Sequence, residues 1–302
     1  MASPDATRTR EQVRFRSADA DCAGVLFRPA GDAPAPCVVL AHGFGALKEG
    51  GPTRVAEHYA EAGFACLAFD YRHFGESGGE PRQLVDVGRQ LDDWRAAVDY
   101  AGRLDGVDAA RLAVWGSSFG GGHVIASAAE DSRIAAAVAQ VPYTDGIASL
   151  RSVGAANVLR MAIPGLIDQA GALIGRAPHH LAIVGPPGSA AVMNSPDAEP
   201  GYRAMFDDGF EWRNEVVARA ALRIAAYRPG KHAADVRCPL LLQVATDDVL
   251  TPPAPAIEAA GRAPHGELIT YAGLGHFDVY RGDPYERAVA DQLEFLRRHL
   301  QP

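Results

Sequence analysis

The stretch Gly116-Ser117-Ser118-Phe119-Gly120 decides how the rest of this 302-residue chain is read. Arg111-Leu112-Ala113-Val114-Trp115 before it is a strand-like apolar run, and Gly121-Gly122-His123-Val124-Ile125-Ala126 after it opens a helix of small residues. Strand, sharp turn and helix are the setting in which G-x-S-x-G presents a serine hydroxyl, because the glycines let neighbouring backbone approach a turn too tight for side chains. Ser118 is the candidate nucleophile. The same pattern recurs at Gly75-Glu76-Ser77-Gly78-Gly79, but Tyr71-Arg72-His73-Phe74 separates it from the preceding strand-like run, and Gly79-Glu80-Pro81 stands where a helix should begin. Context selects Ser118 over Ser77, and the order of the pattern puts Ser117 before the nucleophile.

A serine hydroxyl is a weak nucleophile without a base and an acid that orients the base. Of ten histidines, His276 follows the strand-like Glu267-Leu268-Ile269-Thr270-Tyr271 and a Gly273-Leu274-Gly275 turn, ahead of the final helix. A loop histidine there can reach over the end of the sheet. Most of the others read as helix or loop residues, among them His58, His179, His180, His232, His265 and His299. One strand earlier, Leu240-Leu241-Leu242-Gln243-Val244-Ala245 ends in Thr246-Asp247-Asp248, and Pro252-Pro253 sets the backbone before the next helix. One of the two carboxylates is expected to accept the imidazole N–H, and periodicity does not choose between Asp247 and Asp248. After a further apolar run, Cys37-Val38-Val39-Leu40-Ala41, the turn His42-Gly43-Phe44-Gly45 can aim backbone N–H groups at a developing negative charge. The expected donors are the N–H groups of Phe44 and Phe119, with His42 ordering the loop.

In chain order these parts are HGFG, GSSFG, Asp-Asp and GHFD, and together they resemble the serine branch of the α/β-hydrolase family. The resemblance covers nearly the whole chain, including residues 69–78, which are similar to the post-strand loop of that family. Within it the text resembles the dienelactone hydrolase and X-Pro dipeptidyl-peptidase-like group, which also holds acyl and polyketide transferases. The resemblance implies Asp248 as the acid, four residues before the loop proline Pro252. It also implies an α/β-hydrolase fold, and the hydrophobic pattern agrees. Strand patterns near 12–16, 22–28, 37–41, 65–70, 111–115, 134–141, 240–245 and 267–271 alternate from the third onward with helical stretches near 52–62, 84–103, 119–130, 253–262 and 284–300. That alternation predicts a mostly parallel sheet covered by helices on both faces, with an antiparallel start.

Between 143 and 235 the alternation stops, so residues 1–142 and 236–302 are read as the core and 143–235 as a helical lid insertion. Residues 153–175 are apolar, but Arg160 and Asp168 interrupt them, and Pro164 with Gly165 is expected to kink them. A pair of helices over the site fits better than a membrane span. Tyr202, Phe206, Phe210 and Trp212 form an aromatic cluster that is either the packed interior of the lid or an acyl-pocket wall. Phe206, Phe210 and Trp212 are the candidate substrate-binding residues.

Composition sets the outer limits. With 48% hydrophobic residues the chain can bury one large core, and 29 basic against 37 acidic residues, net −8, leave no basic stripe for nucleic acid or an anionic membrane. Lys48 and Lys231 are the only lysines, which disfavours Schiff-base chemistry. Cys22, Cys37, Cys66 and Cys238 are scattered without CxxC or CxH spacing, so reduced cysteines are expected, and no metal or other cofactor. Residues 1–12 are polar and read as a loose terminus rather than a signal peptide, which points to the cytoplasm. The expected partner is a small-molecule acyl substrate, with a homodimer left open. The expected activity is a serine hydrolase cleaving a carboxylic ester or thioester through an acyl-enzyme. An acyltransferase using an alcohol or amine acceptor, or a non-catalytic ligand-binding protein on the same frame, are the alternatives.

Overall fold

The computed structural model describes residues 9–302. Its strands are β1 (Thr9–Ser17), β2 (Ala20–Arg28), β3 (Ala35–Ala41), β4 (Ala65–Phe69), β5 (Val107–Ser117), β6 (Ile134–Gln140), the short β7 (His180–Leu181) and β8 (Val216–Val217), β9 (Leu240–Ala245) and β10 (Gly266–Tyr271). Its helices are α1 (Pro52–Glu61), α2 (Val87–Ala101), α3 (Phe119–Glu130), α4 (Gly146–Val153), α5 (Ala155–Leu173), α6 (Ala198–Ala204), α7 (Ala221–Ile224), α8 (Pro253–Arg262) and α9 (Gly282–Leu300). Eight strands form one sheet in the order β1-β2-β4-β3-β5-β6-β9-β10. The β1–β2 and β2–β4 pairs are antiparallel and every later pair is parallel. This is an α/β-hydrolase fold.

The sequence dictates this arrangement through burial on two faces. β3, β4 and β9 are buried at every position, as a parallel strand with helices on both sides must be. Trp94 and Val98 of α2, Val124 and Ile125 of α3 and Ala259 of α8 pack in the core on one face. Val55 and Tyr59 of α1 with Val289, Phe295 and Leu296 of α9 pack on the other. The α2 pattern begins three residues later than expected because Asp86 caps it, accepting a hydrogen bond from the Arg89 N–H at 3.2 Å.

One expectation is corrected. Residues 9–12 belong to β1 rather than to a loose terminus, because β1 pairs with β2 along its whole length, from Thr9 opposite Arg28 to Ser17 opposite Ala20. Residues 1–8 of that expectation lie outside the described residues. Pro164 does not end the helix in which it lies. α5 runs through Pro164, and the break falls instead at Gly154, whose φ of 79° ends α4. Pro164 removes one hydrogen bond, to the carbonyl of exposed Arg160, where water can take the vacated acceptor. Among the described residues no helix is long and apolar enough to cross a membrane.

Candidate functional site

Four loops converge where parallel strands end, since β3, β5, β9 and β10 lie in one parallel set and point the same way. Ser118 follows β5 at the start of α3 with φ 56° and ψ −120°, a backbone conformation that a non-glycine residue adopts only when its surroundings impose it. The flanking glycines show what imposes it. A Cβ on Gly116 would stand 2.3 Å from the Gly120 carbonyl oxygen, and one on Gly120 would stand 2.5 Å from the His42 carbonyl oxygen. The turn is therefore clamped between the β3 loop and its own helix, and the serine side chain is the part left to project.

His276 Nε2 lies 3.0 Å from Ser118 Oγ, and His276 Nδ1 lies 2.6 Å from Asp248 Oδ2. Both the imidazole and the carboxylate are buried. Asp248 Oδ1 accepts from the N–H groups of Leu250 and Thr251, both at 2.8 Å, and Oδ2 accepts from the Thr251 hydroxyl at 2.7 Å. Burial alone would push the Asp248 carboxyl up, but the facing His276 and these donors outweigh it and hold the pKa below its ordinary value. The acid is ionised, so Nδ1 carries the proton and Nε2 faces the serine with a lone pair. Asp247, by contrast, is exposed and accepts from the Thr246 hydroxyl at 2.9 Å.

Gly43 sits against this group, with Ser118 Cβ 3.1 Å from where its own Cβ would be. The N–H groups of Phe44 and Phe119 have no acceptor among the described residues, as expected for a loop and for the first residue of a helix. Their rings meet edge to face at 5.5 Å. The loop is held by two residues, Tyr202 and Lys48, to which the sequence reading gave no part in ordering it. Tyr202 donates to the Phe44 carbonyl at 3.0 Å. Buried Lys48 donates to Asp70 through both its N–H, at 2.7 Å, and its Nζ, at 2.9 Å. A signal existed for Lys48, one of only two lysines, three residues after the HGFG turn. Ser77, of the second G-x-S-x-G match, is consumed structurally. It accepts from the Ala23 N–H at 2.8 Å and donates to the Asp70 carbonyl at 2.7 Å.

A cavity of about 70 Å³ opens onto Ser118. Phe44, Phe119, Tyr143, Leu150, Val153, Met161, Val192, Met193, Ile224 and Leu250 form its largely apolar wall, with hydroxyls from Ser118, Tyr143, Ser149 and Thr251 among its side chains, that of Tyr143 donating to the Ile224 carbonyl. No charged residue lines it. Phe206, Phe210 and Trp212 are not part of this wall, which corrects their expected place beside the substrate. They stack on one another, with Phe206 and Phe210 5.2 Å apart and Phe206 and Trp212 5.8 Å apart, around a separate surface depression. Phe206 packs against Gly50 near the start of α1, where a Cβ would meet its ring at 2.9 Å. Nothing in the pattern of isolated aromatics distinguishes that role from a pocket wall.

Two further histidines sit beside the site without a hydrogen bond to Ser118, His276 or Asp248. His42 Nδ1 donates to the Gly43 carbonyl at 2.9 Å, and His123 bridges Gln90, at 3.0 Å, and the Tyr227 hydroxyl, at 2.8 Å. Burial lowers His42 to about 4 and His123 to about 3. The unfolded chain therefore binds protons that the folded chain refuses. The stabilisation is complete above the ordinary histidine value and is lost as pH falls from about 6.5 toward 4. Each such histidine should steepen the loss by about 1.4 kcal/mol per pH unit in that window. Denaturant unfolding of His123→Gln between pH 7 and 4.5 should show the smaller slope, and a slope equal to that of the parent chain would refute this account. Among the described residues no group of three or more His, Cys, Asp or Glu side chains is placed to hold a metal ion.

The profile of the family described as "Serine aminopeptidase, S33" matches residues 32–277. The chain is 41% identical to Quorum-quenching protein AidA of Acinetobacter baumannii (strain MDR-ZJ06), over 95% of this chain and 94% of that protein. It is 29% identical to Polyketide transferase ATR5 of Stachybotrys chlorohalonatus (strain IBT 40285), over 98% and 99% of the two chains. The crystal structure of the α/β hydrolase GrgF from Penicillium sp. sh18 superposes with a TM-score of 0.82 at 26% identity, covering 97% of this chain and 100% of that one.

Proposed function

This chain belongs to the serine aminopeptidase S33 family of α/β hydrolases, and from that premise we propose that it cleaves a carboxylic ester or thioester of an apolar acyl group through an acyl-enzyme on Ser118. The observation that carries the reading is the unbroken relay from Ser118 Oγ to His276 Nε2, at 3.0 Å, and from His276 Nδ1 to Asp248 Oδ2, at 2.6 Å. Ser118 Oγ attacks the acyl carbon while His276 Nε2 takes its proton. The N–H groups of Phe44 and Phe119 hold the resulting oxyanion, and Asp248 stabilises the imidazolium. The proton then passes to the leaving alcohol or thiol as its bond to the acyl carbon breaks. A water molecule, deprotonated by His276, attacks the ester on Ser118, and the serine leaves with that proton as the acid is released.

The cavity supports the substrate class. An aminopeptidase must receive an ammonium group beside the scissile bond, and the wall over Ser118 offers no carboxylate to pair with it. Its free volume is roughly five times what one water needs, which suits a small acyl group rather than a polymer. Residues 143–235 act in this reading as a lid, since most of the apolar wall, Tyr143, Leu150, Val153, Met161, Val192, Met193 and Ile224, lies within them. A second reading, transfer of the acyl group to an alcohol or amine, is favoured by the relative named a polyketide transferase and by walls that leave few sites for water. Four cysteines without disulfide partners support a reducing, cytoplasmic location.

Aryl esters and thioesters of graded acyl length, assayed with and without an added alcohol, test both readings. Acid release alone supports hydrolysis, and a new ester formed at the expense of acid supports transfer. No turnover of any member of the series would overturn both. Within the same series, Met161→Ala is expected to raise kcat/KM for longer acyl chains relative to shorter ones by about tenfold, the scale of one or two methylenes in an apolar pocket. Phe206→Ala should leave that ranking intact and lower Tm, because removing a buried Phe costs roughly 3–5 kcal/mol. A shifted ranking in Phe206→Ala would return the aromatic cluster to the acyl wall.

A further inference from the structure

α5 buries one face and leaves a second, apolar face uncovered. Its inner face, Asn157, Met161, Gly165 and Asp168, is buried. Its outer face exposes Leu159 at 62%, Ile163 at 52%, Leu166 at 60%, Ile167 at 51%, Leu173 at 80% and Ile174 at 68%. A surface helix ordinarily turns charged and polar residues outward. Here the only charged residues between 159 and 174 are Arg160 and Asp168, and Asp168 is buried, paired with Arg219 at 3.1 Å. The exposed side chains amount to a contiguous apolar patch on the order of several hundred Å², more than a monomeric protein usually leaves to water.

We propose that this stripe is a homodimer interface, on which α5 packs antiparallel to α5 of a second copy. The spacing argues for a helix as the occupant. Leu159, Ile163, Leu166, Ala170 and Leu173 follow one another in steps of four and three, the period with which one helix keeps the same seam toward another. A helix lying in a membrane interface shows a similar period but carries Lys and Arg on its polar face, whereas α5 has Arg160 alone, and a chain of net charge −8 is not drawn to an anionic surface. The stripe is also complementary to itself. About a twofold axis through Leu166, Leu159 faces the partner's Leu173 and large Ile163 faces the partner's small Ala170, as an isologous contact requires. The seam spans about 22 Å of helix. With Ile167 and Ile174 beside it, it is on the order of the roughly 800 Å² that each partner gives to a standard interface. Because Met161 on the inner face lines the cavity over Ser118, the partner helix would also brace the substrate wall from behind.

Sedimentation velocity of the full chain at micromolar concentration should give twice the monomer mass of 31.9 kDa. Leu166→Asp, an exposed position whose replacement removes no core contact, should raise the dimer dissociation constant at least about 100-fold with Tm within a few degrees, as expected for a charge placed unpaired in a buried seam. Should that variant fold poorly, Leu166→Cys provides a second measurement. Under mild oxidation it should cross-link to its own copy, whereas Arg151→Cys, exposed off the stripe, should not. A parent chain that stays monomeric at 100 µM, or a dimer that Leu166→Asp leaves intact and Leu166→Cys does not cross-link, would overturn the proposal. A monomer that floats with phosphatidylcholine vesicles would assign the stripe to lipid and overturn it equally.

Discussion

Ser118→Ala is expected to lower kcat by about six orders of magnitude, the scale seen when the nucleophile of a serine enzyme is deleted, and to abolish labelling by a fluorophosphonate probe. The argument is geometric. Of the three serines that the sequence offers near G-x-S-x-G, Ser118 alone has its hydroxyl both open to the cavity and 3.0 Å from an imidazole nitrogen. Ser117 Oγ meets the Tyr280 hydroxyl at 2.5 Å and Gln140 Nε2 at 3.3 Å, beneath the elbow. Ser77 binds backbone on both sides. Ser117→Ala and Ser77→Ala should therefore keep labelling. Ser77→Ala should cost stability instead, about 1–3 kcal/mol for the Ala23 N–H left without an acceptor. Labelling that survives in Ser118→Ala would remove the nucleophile assignment and with it the acyl-enzyme.

The parts of the molecule that were legible beforehand are those in which chemistry constrains the residue type. A parallel strand buried on both faces must read as a continuous apolar run, and Cys37 to Ala41 and Leu240 to Ala245 do. A turn in which a Cβ would strike backbone at 2.3 Å must carry glycine, so Gly116 announces itself. The first residues of β1 did not, because Arg10, Glu11 and Gln12 lie exposed on an edge strand, and exposed positions set no apolar pattern. The cavity wall was hidden for a different reason. Leu150, Val153, Met161, Val192, Met193, Ile224 and Leu250 come from separate elements, and each is an aliphatic or thioether side chain that would look the same in any core. Aromatic residues attracted attention that geometry gives to the aliphatic ones. Phe206, Phe210 and Trp212 stack around a depression of their own, while their neighbour Tyr202 reaches the site indirectly, through its hydrogen bond to the Phe44 carbonyl.

Adjacent aspartates are the case in which sequence alone leaves two answers and hydrogen bonding gives one, and the expected results differ by orders of magnitude. Asp248→Asn should lower kcat by about 10⁴, the effect of trapping a catalytic histidine in the wrong tautomer. Asp248 receives four donors, the N–H groups of Leu250 and Thr251 on Oδ1, and the Thr251 hydroxyl with the His276 Nδ1–H on Oδ2. An asparagine has one acceptor atom. Two backbone N–H groups cannot rotate away, so the amide oxygen stays with them and the NH₂ turns to His276. Nδ1 must then accept, which moves the ring proton to Nε2, and Nε2 can no longer take a proton from Ser118. The side chain keeps its volume, so Tm should fall by far less than activity does. Asp247→Asn should stay within about tenfold of the parent, because its carboxylate is exposed and accepts from the Thr246 hydroxyl rather than from His276. Steady-state kinetics of the two variants on one aryl ester decide the matter. The reverse order of effects would make Asp247 the acid and would require the loop after β9 to turn by one residue, breaking the Leu250 and Thr251 hydrogen bonds that now hold Asp248 against His276.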